Sequence, residues 1–311
     1  MSPATTAPLS AYKKLLSLFS VTWLLLCEMV AEFPALVRDV IKGDRGQEIS
    51  DSRFSTLDGF KKQGKLPAGV LADDGYLLLS SYDAQKDLKL VSKKAYAKSE
   101  VSQFYFKSPK KKDIHSLDYL KKKFNLKSKF FYLPNQYWAH KNHIVVLKAL
   151  DYLKNNNYNF NVISTGNKND HRDSSYFDKI NQYIEKNNLK INYRYIGLVN
   201  YSEVMSLIYH SVALINPSKF EGRHSSLEQA RSIGKQSILS NIAIHKEQEV
   251  PKSYYFNLND YKQLSKIMKK LWANYNSKKN STNFVLACRQ NEIDLNKYYT
   301  NWKKVVDKVI N

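Results

Sequence analysis

The stretch FFYLPNQYWAHKNHIVVLKALDYLKNNNYNFNVIST, residues 130–165, decides the fold. Its opening run Phe130–Leu133 is short, apolar and stopped by Pro134, which reads as a buried strand. His143–Leu153 reads as a helix and Phe160–Thr165 as a second strand. A strand, a helix and a strand in that order make a unit whose two strands run parallel.

The same alternation continues down the chain. Ser174–Asn187 is helical, with Phe177, Ile180 and Ile184 on one face. Strands Ile191–Ile196, Val212–Asn216 and Ser237–Leu239 then alternate with helices Ser202–His210, Ser226–Ile233 and Asp260–Tyr275. This order predicts an α/β fold, a Rossmann-like doubly wound parallel sheet. Sheets of this kind bind ligands beyond the carboxyl ends of their strands. Those ends read Pro134-Asn135-Gln136, Gly166-Asn167, Gly197-Leu198 and Pro217-Ser218. Gly166 and Gly197 allow either close backbone approach to a ligand or an ordinary tight turn.

Two motifs run from a strand end into a helix. The first is Leu133-Pro-Asn-Gln-Tyr-Trp-Ala-His-Lys-Asn-His143. Lys141 falls at the helix start, where unpaired backbone N–H groups and the helix dipole already favour an anion. His140 and His143 lack the third ligand that a metal site needs. The second is Asn216-Pro-Ser-Lys-Phe-Glu-Gly-Arg-His-Ser-Ser-Leu-Glu-Gln-Ala230. Ser225 followed by Glu228 predicts a capping box, which gives Glu228 a structural role. Glu221 lies in the loop before the helix, where a carboxylate can accept hydrogen bonds from sugar hydroxyls.

Together with Leu239-Ser-Asn-Ile-Ala-Ile-His-Lys-Glu247, these strings resemble the donor-binding C-terminal half of GT-B glycosyltransferases of family 4, the group 1 type. The resemblance covers roughly 70–311, because Leu77-Leu-Leu-Ser-Ser-Tyr-Asp-Ala-Gln-Lys-Asp87 looks like the last strand and turn of the family's N-terminal domain. It implies transfer of a sugar from a nucleoside diphosphate sugar, with retention of configuration, no cofactor and no required metal. By that resemblance Lys141 neutralises the donor diphosphate and Glu221 contacts the donor sugar. Arg223, His224 and Ser225 match the loop whose backbone amides hold the phosphates. Ser226 at the helix start, with Gly166 and Gly197 at the strand ends, completes the expected donor-binding set.

Two departures weaken the expected hold on the donor. Gln229 stands where the Glu-x7-Glu motif has its second glutamate, the group that binds the ribose hydroxyls. An amide oxygen accepts hydrogen bonds without the strength of a charge. Glu228 is one residue early, about 100° around the helix. Gln136 stands where many members have an arginine beside the lysine.

Composition sets the outer limits. The 311 residues are 43% hydrophobic, enough for two cores at about 150 residues per domain, so a disordered tail is excluded. Cys27 and Cys288 stand alone, which excludes a disulfide framework or zinc finger and fits a reducing compartment. The net charge of +21 calls for phosphate-bearing partners. Residues 1–69 hold 9 Lys and Arg against 7 Asp and Glu, leaving 40 against 21 for 70–311. The first 69 also hold 4 of 8 prolines, 5 of 10 glycines, 1 of 22 tyrosines and no asparagine. Composition therefore changes near Val70, as if a family-like beginning were missing or replaced.

The expected organisation is an atypical segment 1–69, an N-terminal domain remnant and linker over 70–126, and a nucleotide-sugar-binding domain with C-terminal helices over 127–311. Leu15–Cys27, after Lys13 and Lys14, is shorter than the roughly 20 apolar residues of a membrane span. It reads as a buried helix continuing through Met29, Phe33, Val37 and Val40, as a membrane-surface element or as an export leader. Residues 43–69 read as polar loop.

The expected function is glycosyl transfer to a saccharide or lipid-linked saccharide, in polysaccharide assembly at the cell envelope. A non-enzymatic GT-B remnant, serving as a binding or scaffold module, is the alternative. Nucleic-acid binding would rest on Tyr105 and Tyr119 among the basic runs 107–112 and 121–123, and no recognition motif accompanies them. An anionic membrane surface accounts for the charge equally well. The expected location is the cytoplasm, where nucleotide sugars are made, at the inner face of the membrane.

Overall fold

The computed structural model describes residues 77–127, 129–170, 173–248 and 250–310. The readings of Leu15–Cys27, the polar loop 43–69 and the break near Val70 lie outside the described residues. The described residues divide into two units, 77–104 with 296–310, and 105–295.

Within the first unit, β1 (Leu77–Leu79) and β2 (Ser99–Val101) pair in parallel, with Leu77 opposite Ser99. Helices α1 (Tyr82–Val91) and α2 (Lys93–Ala97) connect them. Ser81 and Ser92 cap these helices, accepting from the amides of Ala84 and Ala95 at 3.1 Å. Leu77, Leu88 and Ala95 form a small core. Leu77–Leu79 is therefore not the last strand of this unit, since β2 follows it. Ser99-Glu-Val101 is too short and polar to announce itself as a strand.

The second unit opens with α3 (Leu117–Phe124) and continues as β3 (Phe131–Pro134), α4 (His143–Asn155), β4 (Val162–Thr165), α5 (Tyr176–Lys186), β5 (Tyr193–Tyr195), α6 (Tyr201–His210) and β6 (Leu214–Asn216). It is completed by α7 (Ser225–Ser232), β7 (Ser237–Ser240), α8 (Ala243–Glu247), β8 (Ser253–Phe256), α9 (Tyr261–Ala273) and α10 (Lys279–Ile310). The residues of α10 from Asn296 onward belong to the first unit. The half-exposed edge strand β8 escapes a periodicity argument because only Phe256 of its four residues is buried.

The six strands lie in the order β5-β4-β3-β6-β7-β8, every pair parallel. This is the doubly wound arrangement, and its order reverses between β3 and β6. Side chains alternate across β3 as a strand requires. Phe131 and Leu133 face a layer formed by α4, α5 and α9, with Val146, Leu150, Ile180, Ile184, Leu264 and Met268. Phe130 and Tyr132 face the opposite layer, where Leu120 of α3, Met205 and Ile208 of α6, Leu227 of α7 and Phe284 of α10 pack.

Local chemistry fixes the helix starts. Asn200 and Glu203 form a reciprocal capping box on α6, with bonds of 2.9 and 3.1 Å. The box expected at Ser225 and Glu228 does not form, because α7 starts at Ser225 itself and Glu228 turns inward to an arginine. Among the described residues, no helix is long and apolar enough to cross a membrane.

Candidate functional site

The strand order reverses between β3 and β6, and the carboxyl edge of the sheet at such a reversal is where doubly wound folds bind ligands. Two loops meet there. After β3 the chain makes a 3-10 turn, Ala139–Lys141, and Asn142 enters α4 at a left-handed φ of 55°. The loop after β6 is tied to it by Lys219 N–H donating to the His140 carbonyl at 2.8 Å and by Asn142 Nδ2 donating to the Pro217 carbonyl at 3.2 Å.

These ties bring Lys141 and Glu221 together, with Nζ 2.7 Å from Oε1. Their side chains are only 10% and 8% exposed. Burial alone would raise the Glu221 carboxyl, but the charge of Lys141 and the hydrogen bond it donates hold it down at about 2. His224 lies beside the pair, Nε2 3.6 Å from Glu221 Oε1 and 3.0 Å from Asn135 Oδ1. Burial pushes this imidazole down to about 3, so it is neutral at physiological pH.

Helix α7 points its N-terminus toward the same edge. Ser226 Oγ bonds the Pro134 carbonyl at 3.3 Å, while the backbone amides of Ser225 and Ser226 meet no acceptor among the described residues. Open N–H groups at a helix start form a ready anion site. The His224 amide is not available in the same way, because Gln248 grips the residue from both sides: its Oε1 accepts from His224 N–H and its Nε2 donates to the His224 carbonyl, each at 3.1 Å.

Arg223 is directed away from any phosphate role for its side chain. Its guanidinium meets Glu228 at 2.6 Å with both side chains 1% exposed. Glu228 also accepts from Gln248 at 3.0 Å and lies 3.8 Å from Arg231, which bonds Asp294 at 2.6 Å. Burial raises the Glu228 carboxyl above its ordinary value despite these arginines. Gln229, the next residue, is half-buried, and its side chain bonds none of the described residues.

On the other side of Lys141, Gln136 Oε1 accepts from the Asn167 amide at 2.5 Å, which pins the loop after β4. Gly166 has a φ of +137°, and a Cβ there would stand 2.3 Å from the Asn135 carbonyl oxygen, so only glycine fits. Its amide bonds the Gly197 carbonyl at 3.2 Å. Gly197 has a φ of +83° and open space around it. The four predicted elements Gln136, Gly166, Gly197 and Lys141 thus share one stitched edge.

The two histidines of the first motif serve stacking. His143 is buried against Tyr137, with ring centroids 4.2 Å apart, and His140 stacks on Phe220 at 4.5 Å. The aromatics weighed for nucleic-acid binding are engaged internally: Arg231 lies 4.3 Å over Tyr105, and Tyr119 Oη donates to Glu203 at 3.1 Å. Asn135, Asn216, His245 and Gln248 were not singled out by sequence reasoning. The one available signal was an asparagine at the ends of two strands that turn out to be neighbours.

A profile of the family described as "Glycosyl transferases group 1" matches residues 118–285. A search of the curated proteins gave no match. Among solved structures, a glycosyltransferase from Rickettsia africae superposes with a TM-score of 0.61 at 14% identity, covering 100% of this chain and 84% of that one. Sucrose-phosphate synthase from Thermosynechococcus elongatus gives 0.57 at 13% identity, covering 84% of this chain and 62% of that one. HepE from Anabaena, in complex with UDP, gives 0.54 at 13% identity, covering 71% and 64%. The chain thus spans less than two thirds of the length of the last two. The profile match covers the doubly wound sheet from α3 into α10, including Lys141, Glu221 and α7, so the chain belongs to the group 1 glycosyl transferases and carries their GT-B Rossmann-like fold.

Proposed function

We propose that this chain transfers a sugar from a nucleoside diphosphate sugar to a saccharide or lipid-linked saccharide, with retention of configuration and without a metal. The observation that carries this reading is the Lys141–Glu221 pair at the strand-order reversal, beside the open amides of Ser225 and Ser226. An arriving diphosphate takes the Lys141 ammonium and the two amides. Glu221, released from its counter-ion, then accepts hydrogen bonds from the donor sugar. During transfer the bond from the anomeric carbon to the diphosphate breaks, the acceptor oxygen bonds that carbon, and the acceptor proton leaves with the diphosphate. Lys141 and the α7 N-terminus stabilise the charge that develops on the leaving group. Gln229 meets the ribose with a neutral amide in this reading, by its position eight residues beyond Glu221.

Calorimetry with UDP and GDP tests the donor. Binding of either nucleotide, weakened at least about tenfold in Lys141→Ala, supports the reading, since about 1.4 kcal/mol corresponds to that factor. Equal affinity in the variant would sink it. UDP-glucose is the first donor for turnover assays, because one HepE structure holds UDP-glucose. A non-enzymatic binding module is the second reading, favoured by Gln229 in place of a carboxylate; it predicts nucleotide binding without transfer of any sugar. We further place the chain at the cytoplasmic face of an anionic membrane, to which its charge of +21 is suited, each nearby Lys or Arg contributing about 1 kcal/mol. Salt-sensitive sedimentation with acidic vesicles and not with DNA is the expected result.

A further inference from the structure

A chain of four buried side chains runs along the carboxyl edge of the sheet, crossing the ends of β7, β6 and β3. His245 Nδ1 meets the Ser240 carbonyl at 2.9 Å, and His245 Nε2 meets Asn216 Nδ2 at 3.1 Å. Asn216 Oδ1 meets Asn135 Nδ2 at 3.3 Å, and Asn135 Oδ1 meets His224 Nε2 at 3.0 Å. The exposures of Asn135, Asn216, His224 and His245 are 2%, 0%, 5% and 0%.

The direction of every bond follows from one end. A backbone carbonyl only accepts, and the Ser240 hydroxyl, 3.2 Å from the same nitrogen, gives its proton to the Ser218 carbonyl, so His245 Nδ1 carries the proton. Burial keeps this imidazole neutral, with its pKa below the ordinary value, so Nε2 must accept. Asn216 therefore presents its amide N–H to His245 and its oxygen to Asn135. Ser218 Oγ, 2.7 Å away, donates to the same oxygen. Asn135 must then donate to Asn216, which leaves its own oxygen facing His224. Only an Nε2–H can meet that oxygen, and Nδ1 of His224, which has no hydrogen-bond partner, is left as a bare acceptor.

We propose that Asn135, Asn216 and His245 are positioning residues that fix His224 as its Nε2–H tautomer against Glu221. The consequence for the site is a simple one-to-one pairing. The charged or titratable groups acting on His224 are Glu221, Lys141, His245 and His140. With His224 neutral, Glu221 has a single cation, Lys141, and one incoming anion suffices to free it. Were His224 protonated, the carboxylate would be held between two cations. This bearing on catalysis rests on the function proposed above; the tautomer itself does not, and it can be read without donor or turnover.

The test uses the full chain with nitrogen-15 in its 7 histidines, His224 being assigned through loss of its signal in His224→Gln. Proton–nitrogen correlation spectra should show His224 as the Nε2–H tautomer, with no titration between about pH 5 and 8, where an ordinary imidazole changes charge. An Nδ1–H tautomer, or a His224 that titrates in that window, overturns the proposal in the unaltered protein. In Asn135→Asp a carboxylate replaces the amide oxygen, and His224 should begin to titrate within the window. In Asn216→Leu the His224 signals should move toward a tautomer mixture. Spectra unchanged in either folded variant also overturn it.

Discussion

Lys141 and Glu221 stand 80 residues apart in sequence and 2.7 Å apart in space, each the other's counter-ion and both largely shielded from water. Neither could be buried there alone at acceptable cost.

That relationship fixes a pH dependence. The Glu221 carboxyl is held at about 2 in the folded chain, below its ordinary 4.5. A depressed carboxyl contributes stability above its unfolded pKa and loses it as pH falls through the folded one. The contribution is on the order of 3 kcal/mol near neutrality, fading between 4.5 and about 2. In Lys141→Ala, burial acts without its counter-charge, the carboxyl rises, and the sign inverts: stability should fall as pH climbs past 4.5. Urea unfolding at acid and neutral pH checks this. The variant should be weaker by about 3–5 kcal/mol at pH 7, and Lys141→Ala/Glu221→Gln should recover much of the loss.

Arg223 and Glu228 should behave as a structural pair. Glu228→Ala leaves a guanidinium buried at 1% exposure and should cost about 3–5 kcal/mol, whereas Arg223→Met/Glu228→Leu should approach the parent. Denaturation midpoints of the two variants decide the matter. A double variant as unstable as the single one would refute the pairing.

Gly166 and Gly197 should respond differently to alanine. Gly166→Ala forces a Cβ to within 2.3 Å of the Asn135 carbonyl oxygen, in backbone that must shift, and should destabilise by well over about 1–2 kcal/mol. Gly197→Ala meets open space and should cost about 1–2 kcal/mol for its left-handed φ alone. Thermal unfolding of the two variants side by side is the measurement.

Gln229→Glu puts a carboxylate at a half-buried position whose present side chain bonds none of the described residues. If the ribose lies there, nucleoside diphosphate affinity should rise several-fold, since a charge-assisted hydrogen bond adds about 1 kcal/mol over a neutral one. Calorimetry against the parent chain checks it, and unchanged affinity would place the ribose elsewhere.

The strand and helix rhythm from Phe130 onward was legible because period and punctuation are local properties of the chain. Lys141 and Glu221 were legible too, as residues sitting just beyond strand ends, where a doubly wound sheet gathers its ligands. Their contact with each other was not. It depends on β3 lying beside β6, which follows from burial and sheet order and not from any nearby spacing. Asn135 and Asn216 become hydrogen-bond partners for the same reason. Ser225 and Glu228 show the opposite case: their spacing satisfies a local capping rule, yet a buried arginine five residues before Glu228 offers a charge partner, and the helix starts without the cap. The sequence by itself determined the alternating α/β pattern, the residues placed at strand ends and their charges. Tertiary structure decided which charges meet, which are sealed from water and which backbone donors stay open, because those depend on distances set only when non-adjacent strands pair.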